Sequence, residues 1–378
     1  GNGYWIDTTS NACTITLPSS ADNGDLIIFA DYDRTWGTNA ITLDSNGLNY
    51  QGDDDSFDVE YGTDGQALRI VYSGATTGWI PILDKTVEDV PSKGNDNGIF
   101  GYGENGSIVV SMTNLVSNAG VVATDTTGVG TARQQPSACG FGYDKGIFAY
   151  GYTGGGAGGY ENMSNLVSNV GVVATDVTGV GTARSTPGAC EYGGDKAIFG
   201  YGNTGSVSSL TNLVSNVGVV ATDVTGVGTA RDSLKACEYG EDKGIFGFGK
   251  HNSTKDSMTN LVSNVGVVAD DVTGVGTGRN GLAACEYGDD KGIFAYGGSY
   301  VSNLVSNVGV IATDVSGVGT DRGEPAACGY GGDKGIFGYG YTGSIVSMTN
   351  LVSNAGVVAS DVTGVGTARE SPGACSYN

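Results

Sequence analysis

The chain has 378 residues, enough for one large domain or two modest ones. Its 67 glycines far exceed the usual share of about 7%, yet 7 prolines and the lack of a three-residue period exclude collagen, and 20 tyrosines with 39% hydrophobic residues argue against wholesale disorder. A net charge of -22 has the wrong sign for general nucleic-acid binding, no apolar run is long enough to span a membrane, and the single histidine, His251, removes most His-based catalysis and most zinc sites.

No basic-plus-apolar leader opens the chain and Met is not its first residue, so Gly1 reads as a processed or trimmed start. Residues 1–90 read as a small all-β domain. The alternating runs Cys13-Thr14-Ile15-Thr16-Leu17, Leu26-Ile27-Ile28-Phe29 and Leu68-Arg69-Ile70-Val71-Tyr72 predict strands, and Asn46-Gly47 and Thr77-Gly78 predict turns. All three tryptophans, Trp5, Trp36 and Trp79, lie here. Oxygen ligands at 52–58 (Gly-Asp-Asp-Asp-Ser-Phe-Asp) would suit Ca²⁺, but the EF-hand spacing is missing and a solvated acidic turn is the expectation. The polar stretch 85–97, with Pro91 and Gly94, reads as a linker.

From residue 98 the chain repeats one pattern six times. Gly/Ala-Ile-Phe ends at Phe100, Phe148, Phe199, Phe246, Phe294 and Phe337; Asn-Leu-Val-Ser-Asn starts at Asn114, Asn165, Asn212, Asn260, Asn303 and Asn350; Ala-Cys ends at Cys139, Cys190, Cys237, Cys285, Cys328 and Cys375. Successive cysteines are 51, 47, 48, 43 and 47 residues apart, the length of a four-stranded propeller blade. Each unit predicts four short strands: Ala-Cys, Gly-Ile-Phe, Asn-Leu-Val and Gly-Val-Val-Ala-Thr-Asp. Glycine sits at nearly every junction and no helical period is present. The first copy lacks an Ala-Cys strand before it and the last lacks Gly-Ile-Phe after it. A closed ring, in which the C-terminal strand completes the first blade, satisfies both ends and removes sheet edges. The expected fold is thus all-β: a small N-terminal domain (1–90) followed by a closed six-bladed, four-stranded-blade propeller (98–378).

The layout of 348–369 (strand, turn, strand, loop, arginine) resembles kelch units, with Gly-Tyr-Gly where those carry paired glycines; no repeat has the tryptophan usual in kelch units. The repeat wording of 98–378 also resembles propeller repeats in fibre or appendage proteins of tailed phages, especially marine ones. The stretch from Leu17-Pro18 to Gly78-Trp79-Ile80-Pro81 resembles small all-β domains of phage tail fibres. These resemblances imply a virion location, other virion proteins as partners, a host-surface glycan or protein as ligand, and a homotrimer, although no coiled-coil heptads are present.

Few residues suggest chemistry. The six repeated cysteines are expected to be buried free thiols rather than disulfides or a metal ring, and Cys13 makes the count odd. An aspartate precedes an arginine by eight residues in each unit: Asp125/Arg133, Asp176/Arg184, Asp223/Arg231, Asp271/Arg279, Asp314/Arg322 and Asp361/Arg369. Because the slot is the same in every copy, a structural stitch within or between blades is expected rather than a ring of anion-binding arginines. The Asp-Lys pairs before Gly-Ile-Phe read as solvated hairpin turns. No carboxylate stands out by breaking the repeat in an apolar setting, which argues against a glycosidase pair. The glycine-rich 154–159 lacks the Lys-Ser/Thr of a phosphate loop, and the residues call for no cofactor or metal.

The copies differ in two places: between Gly-Tyr-Gly and Asn-Leu-Val, and after the arginine. With strands numbered outward from Ala-Cys, these are loops 2–3 and 4–1, which leave an antiparallel blade on one side. Variable loops on a rigid scaffold suit recognition, and Tyr160, Lys250, His251, Lys255, Tyr300 and Tyr341 are the candidate contacts for a sugar or a protein surface. His251 is otherwise an exposed loop residue. The expected function is a non-enzymatic phage tail fibre or appendage that binds the host surface, without nucleic acid or membrane insertion. The alternatives are a capsid-decorating or lectin-like module and a polysaccharide-degrading enzyme.

Overall fold

The computed structural model describes residues 6–52, 59–86 and 96–378. Trp5, the acidic stretch 53–58 and most of the 85–97 linker therefore lie outside the described residues. The protein is all-β, and its contacts divide it into two compact units, Gly1–Pro91 and Ser92–Asn378.

The first unit contains β1 (Cys13–Thr16), β2 (Leu26–Ala30), β3 (Ile41–Asp44), β4 (Val59–Tyr61), β5 (Gln66–Tyr72) and β6 (Trp79–Thr86). They form two three-stranded sheets, β1-β3-β4 and β2-β5-β6, with β1 parallel to β3. Alternation places Leu68, Ile70 and Tyr72 in the core, where they meet Ile41, Leu43, Trp36 and Trp79. Each such aliphatic chain contributes about 1.5–3 kcal/mol of burial. At Asn46-Gly47 both residues have positive φ (55 and 84), so the predicted turn has a mirror-image geometry that asparagine and glycine tolerate. Gly78 (φ 69) is obligatory, because a Cβ there would overlap the Asn49 carbonyl, which accepts the Trp79 N–H at 2.8 Å.

The second unit is six three-stranded antiparallel sheets. In the second to sixth sheets the first strands are Ser137–Phe141, Gly188–Tyr192, Lys235–Tyr239, Ala283–Tyr287 and Ala326–Tyr330. The second strands are Lys145–Tyr152, Lys196–Asn203, Lys243–Gly247, Lys291–Ala295 and Lys334–Tyr341; the third are Tyr160–Val167, Val207–Val214, Thr259–Val262, Ser302–Val305 and Ile345–Val352. The first sheet is split in sequence: Asn97–Gly101 and Thr113–Val116 pair with each other, and the C-terminal Gly373–Tyr377 supplies its first strand, Cys375 opposite Ile99. The fourth predicted strand is not continuous. The segment after each Ser-Asn-Val-Gly turn meets the third strand only at isolated bridges, such as Val116 with Val122 and Thr113 with Thr126. The two bridges differ in register by one residue, so the ladder is interrupted between them.

The apolar run in each second strand is buried on both sides. Phe100 clusters with Ile336 and Tyr339 of the sixth sheet, whereas Ile99 clusters with Phe148 and Val167 of the second. The same division recurs, so each core lies between two neighbouring sheets. The first strands touch in cyclic order: each contacts those before and after it, and Gly373–Tyr377 contacts both Ala326–Tyr330 and Ser137–Phe141.

Candidate functional site

Between neighbouring sheets the repeated aspartate and arginine make one stitch. Arg231 is buried, its guanidinium lying 4.4 Å over the Tyr201 ring of the third sheet and donating to Asn260 Oδ1 of the fourth at 2.6 Å. Its partner is not Asp223, eight residues earlier, but Asp271 of the following unit, 3.8 Å away. The Thr229 hydroxyl and N–H also donate to Asp271. The chain of pairs returns to its start: Arg369 meets Asp125 at 3.9 Å and donates to Asn114, and Thr367 donates to Asp125. Partial burial works to raise the pKa of Asp271, but hydrogen bonds from Thr229 and Asn260 and the charge of Arg231 outweigh it and leave the carboxyl below its ordinary value. Asp125, Asp176, Asp223, Asp314 and Asp361 behave alike.

The aromatic residue beneath each guanidinium carries a backbone feature not anticipated from the sequence. Tyr102, Tyr150, Tyr201, Phe248, Tyr296 and Tyr339 all have φ between 62 and 67, and at Ala149/Gly151 the pairing register shifts. A non-glycine residue in this region costs on the order of 1 kcal/mol. The geometry sets each ring edge-on or tilted against the next sheet's phenylalanine, as Tyr150 to Phe199 at 5.3 Å, and flat against the arginine. The signal in the sequence is the aromatic residue flanked by small residues after Gly/Ala-Ile-Phe.

All seven cysteines are free, and the six repeated ones are buried. The Cys190 sulfur packs over Gly244 of the next sheet, where a Cβ would collide with it. Burial pushes the Cys328 thiol up to about 12. The Asp-Lys turns are more than solvated caps. The Gly142 N–H donates to the Asp195 carbonyl of the next sheet, and the relation runs on through Gly331 to Asp96 and Asn378 to Asp144.

The first strands line an open-mouthed cavity of about 50 Å³ to which all six Ala-Cys pairs contribute. Here the expectation about carboxylates is corrected. Glu191, Glu238 and Glu286 line the cavity where the other copies place Gly140, Gly329 and Ser376; Glu238 is buried and the other two are half-buried, so one carboxylate does break the repeat in a buried setting. Lys235 likewise stands at the other end, where its counterparts are Ser137, Gly188, Ala283, Ala326 and Gly373. Comparing the copies strand by strand, rather than loop by loop, would have found both. Among the described residues no group of three or more His, Cys, Asp and Glu is placed to hold a metal ion.

The two variable regions are joined by backbone. In five of the six copies the residue after the arginine forms a bridge with a residue at or just beyond the end of a second strand: Gln134 with Tyr152, Ser185 with Asn203, Asp232 with Lys250, Gly323 with Tyr341, and Glu370 with Glu104. The next residue has positive φ in all six copies, and these residues link into a belt: Gln135 N–H to Ser371 O, Ser371 N–H to Glu324 O, Glu324 N–H to Gly281 O, Gly281 N–H to Ser233 O. On this side a depression of about 230 Å³ opens over the second to fourth sheets, lined by both variable regions. Its members include Gln134, Gln135, Tyr152, Tyr160, Asn203, Asp232 and Lys250.

Of the six candidate contacts, Tyr160 and Lys250 line this depression. His251 and Lys255 lie next to it in a small hairpin, Lys250–His251 paired with Thr254–Lys255, whose turn residues Asn252 and Ser253 have positive φ. His251 is half-buried rather than exposed, its Nδ1 2.8 Å from the Ala230 carbonyl. Tyr300 and Tyr341 are exposed on the fifth and sixth sheets, outside the depression. The acidic stretch 53–58 lies outside the described residues. No protein-family profile matches the chain, and no curated protein matches its sequence significantly.

Proposed function

We propose that the second unit is a closed six-bladed β-propeller and that the chain is a non-enzymatic virion protein, a tail fibre or appendage, whose variable side binds a host-surface glycan or protein. One observation carries this reading. The segments that differ between copies are bridged to one another on a single side, whereas the Arg-Asp stitches and the Asp-Lys turns recur in nearly the same form. Retained framework with divergent loops is the distribution expected of a scaffold that presents a binding surface. Ring closure is supported by the pairing of Gly373–Tyr377 with Asn97–Gly101 and by the cyclic contacts of the first strands. The virion location and host ligand rest on the resemblance of the repeats and the N-terminal domain to phage fibre proteins. The first unit would attach or trimerise; Leu26, Ile28 and Ile82 are exposed on its β2-β5-β6 sheet.

The test has two arms. Antibody against the full chain, used in electron microscopy of virions that carry it, should decorate the tail; decoration of the capsid selects the capsid appendage, and no decoration overturns the virion assignment. Replacing 250–255 by the short connection of the fifth sheet should change binding to bacterial envelope fractions. Binding unchanged by this and by equivalent swaps in the other sheets overturns the recognition side.

A further inference from the structure

We infer that the depression over the second to fourth sheets is a binding site for one uncharged sugar ring; this deepens, and rests on, the reading of the variable side as a recognition surface. Its volume of about 230 Å³ is below the roughly 300–1,000 Å³ of sites for drug-sized ligands, which suits one pyranose better than a longer ligand wholly enclosed. Its wall is the aromatic pair Tyr152 and Tyr160, ring centroids 5.3 Å apart and tilted by 54°. Such rings offer apolar faces for the C–H side of a sugar, with the Tyr152 hydroxyl held by Gly156 and the Tyr160 hydroxyl by Asn203.

The base is a connected polar chain. The Tyr160 hydroxyl donates to Asn203 Oδ1 at 3.1 Å, Asn203 Nδ2 donates to Asp232 Oδ2 at 2.9 Å, and Ser233 Oγ donates to Asp232 Oδ1 at 2.9 Å. Asp232 is 3% exposed, so this carboxylate is fixed by the fold rather than free to turn away. Two of its roughly four acceptor positions are taken by these bonds, which leaves capacity for a hydroxyl donor. The side-chain amides of Gln134 and Gln135 form no hydrogen bond among the described residues, and the buried Thr186 Oγ1 has no partner either. A vicinal diol supplies the donors and acceptors that such groups lack.

The choice of an uncharged sugar follows from the charges present. Among the described residues, Lys250 and Asp232 are the only charged ones in the lining and stand 3.6 Å apart, so neither calls for a counter-ion. A peptide ligand is disfavoured by the lining, which has no apolar pocket for an anchor side chain. The site is also local to these sheets: at the corresponding junctions of the sixth and first sheets, Glu324, Glu370 and Glu104 stand in these places.

The full-length protein, titrated by calorimetry and saturation-transfer NMR, tests this against D-glucose, D-galactose, D-mannose and N-acetyl-D-glucosamine, with D-glucuronate as the charged comparator. At least one neutral sugar should bind with a dissociation constant on the order of 1 mM. Gln135→Ala and Asn203→Ala should each weaken that binding tenfold or more, and Val170→Ala, at an exposed turn outside the depression, should leave it unchanged. Gln135 forms no internal side-chain bond, so its variant keeps the test sound if Asn203→Ala unfolds. No neutral sugar binding at about 50 mM, binding indifferent to Gln135→Ala, or tighter binding of glucuronate overturns the site. Envelope binding without sugar binding removes this site and keeps the recognition reading; sugar binding without envelope binding does the reverse.

Discussion

The stitched framework and the variable loops of the second unit are made from the same six copies under opposite constraints. In the stitched framework each aspartate is met from the adjacent sheet: Thr182 and Arg184 both reach Asp223, and Thr367 and Arg369 both reach Asp125. On the variable side the backbone bridges are retained, but the side chains they carry run from Gln134 to Asp232 to Gly323. The framework thus fixes where a loop starts and ends, and leaves its chemistry free. The comparison predicts large, copy-independent losses for framework changes and small stability effects with local binding effects for the variable side.

The largest effect should come from deleting 373–378. The first sheet would lose its first strand, and the buried faces of Ile99, Phe100, Cys328 and Tyr330 would face water. The expected cost is on the order of 5 kcal/mol or more, comparable to the net stability of a domain. Calorimetry should show the loss of the cooperative transition of the second unit, and a peptide of residues 370–378 added in trans should restore part of it. A truncated chain that melts like the intact one would mean that closure contributes nothing.

Next comes the stitch. Arg231→Met leaves Asp271, Asn260 and the Phe248 carbonyl without their buried donor. Removing one partner of a buried pair costs about 3–5 kcal/mol. Denaturant titration should show that loss for Arg231 and Arg369, and a smaller one for Arg322, whose guanidinium nitrogens lack hydrogen bonds. Lys250→Met, although Lys250 also has an aspartate partner, should stay within about 0.5 kcal/mol, since that lysine is 41% exposed. Equal losses at Lys250 and Arg231 would erase the distinction between framework and variable loops.

These differences show what could be read from the sequence. Repeat length, strand order and the split first sheet were legible, because Phe100 to Phe337 and Cys139 to Cys375 mark equal steps and the ends are complementary. That the aspartate of one unit serves the arginine of the previous one was not, because spacing along the chain is blind to which sheet lies alongside. The interrupted fourth segment was hidden for a related reason: Val121, Val122 and Thr126 have strand propensity, but the register shift between the two bridges depends on where the third strand lies. Tyr160 and Lys250 were found as variable loop residues. Asp232 was passed over because a buried anchor and a solvated loop carboxylate look alike in one dimension.

Acid should weaken the framework selectively. The six stitching aspartates have folded pKa values below the ordinary value of about 3.9, so they contribute stability at pH above about 4 that is lost as pH falls through their folded values. The melting temperature of the second unit should fall steeply below pH 4 and little between pH 5 and 8. Asp361→Asn should flatten part of that dependence, since an amide takes up no proton as the pH falls through this range. A profile identical in the variant would detach these carboxyls from stability.

The smallest effect concerns the thiols. Six sulfurs packed between sheets, with burial raising their pKa, are neither accessible nor ionised at neutral pH, whereas Cys13 is partly exposed in the first unit. An aromatic disulfide reagent at pH 8 should therefore react with one thiol in the native protein and with seven after unfolding. Because opening between sheets must precede reaction at the six, their labelling rates report local opening of each interface. Copies at a weakened stitch, such as Cys328 beside the deletion at 373–378, should react first. Uniform, rapid labelling of all six in the intact chain would show that the framework side breathes as freely as the loops it supports.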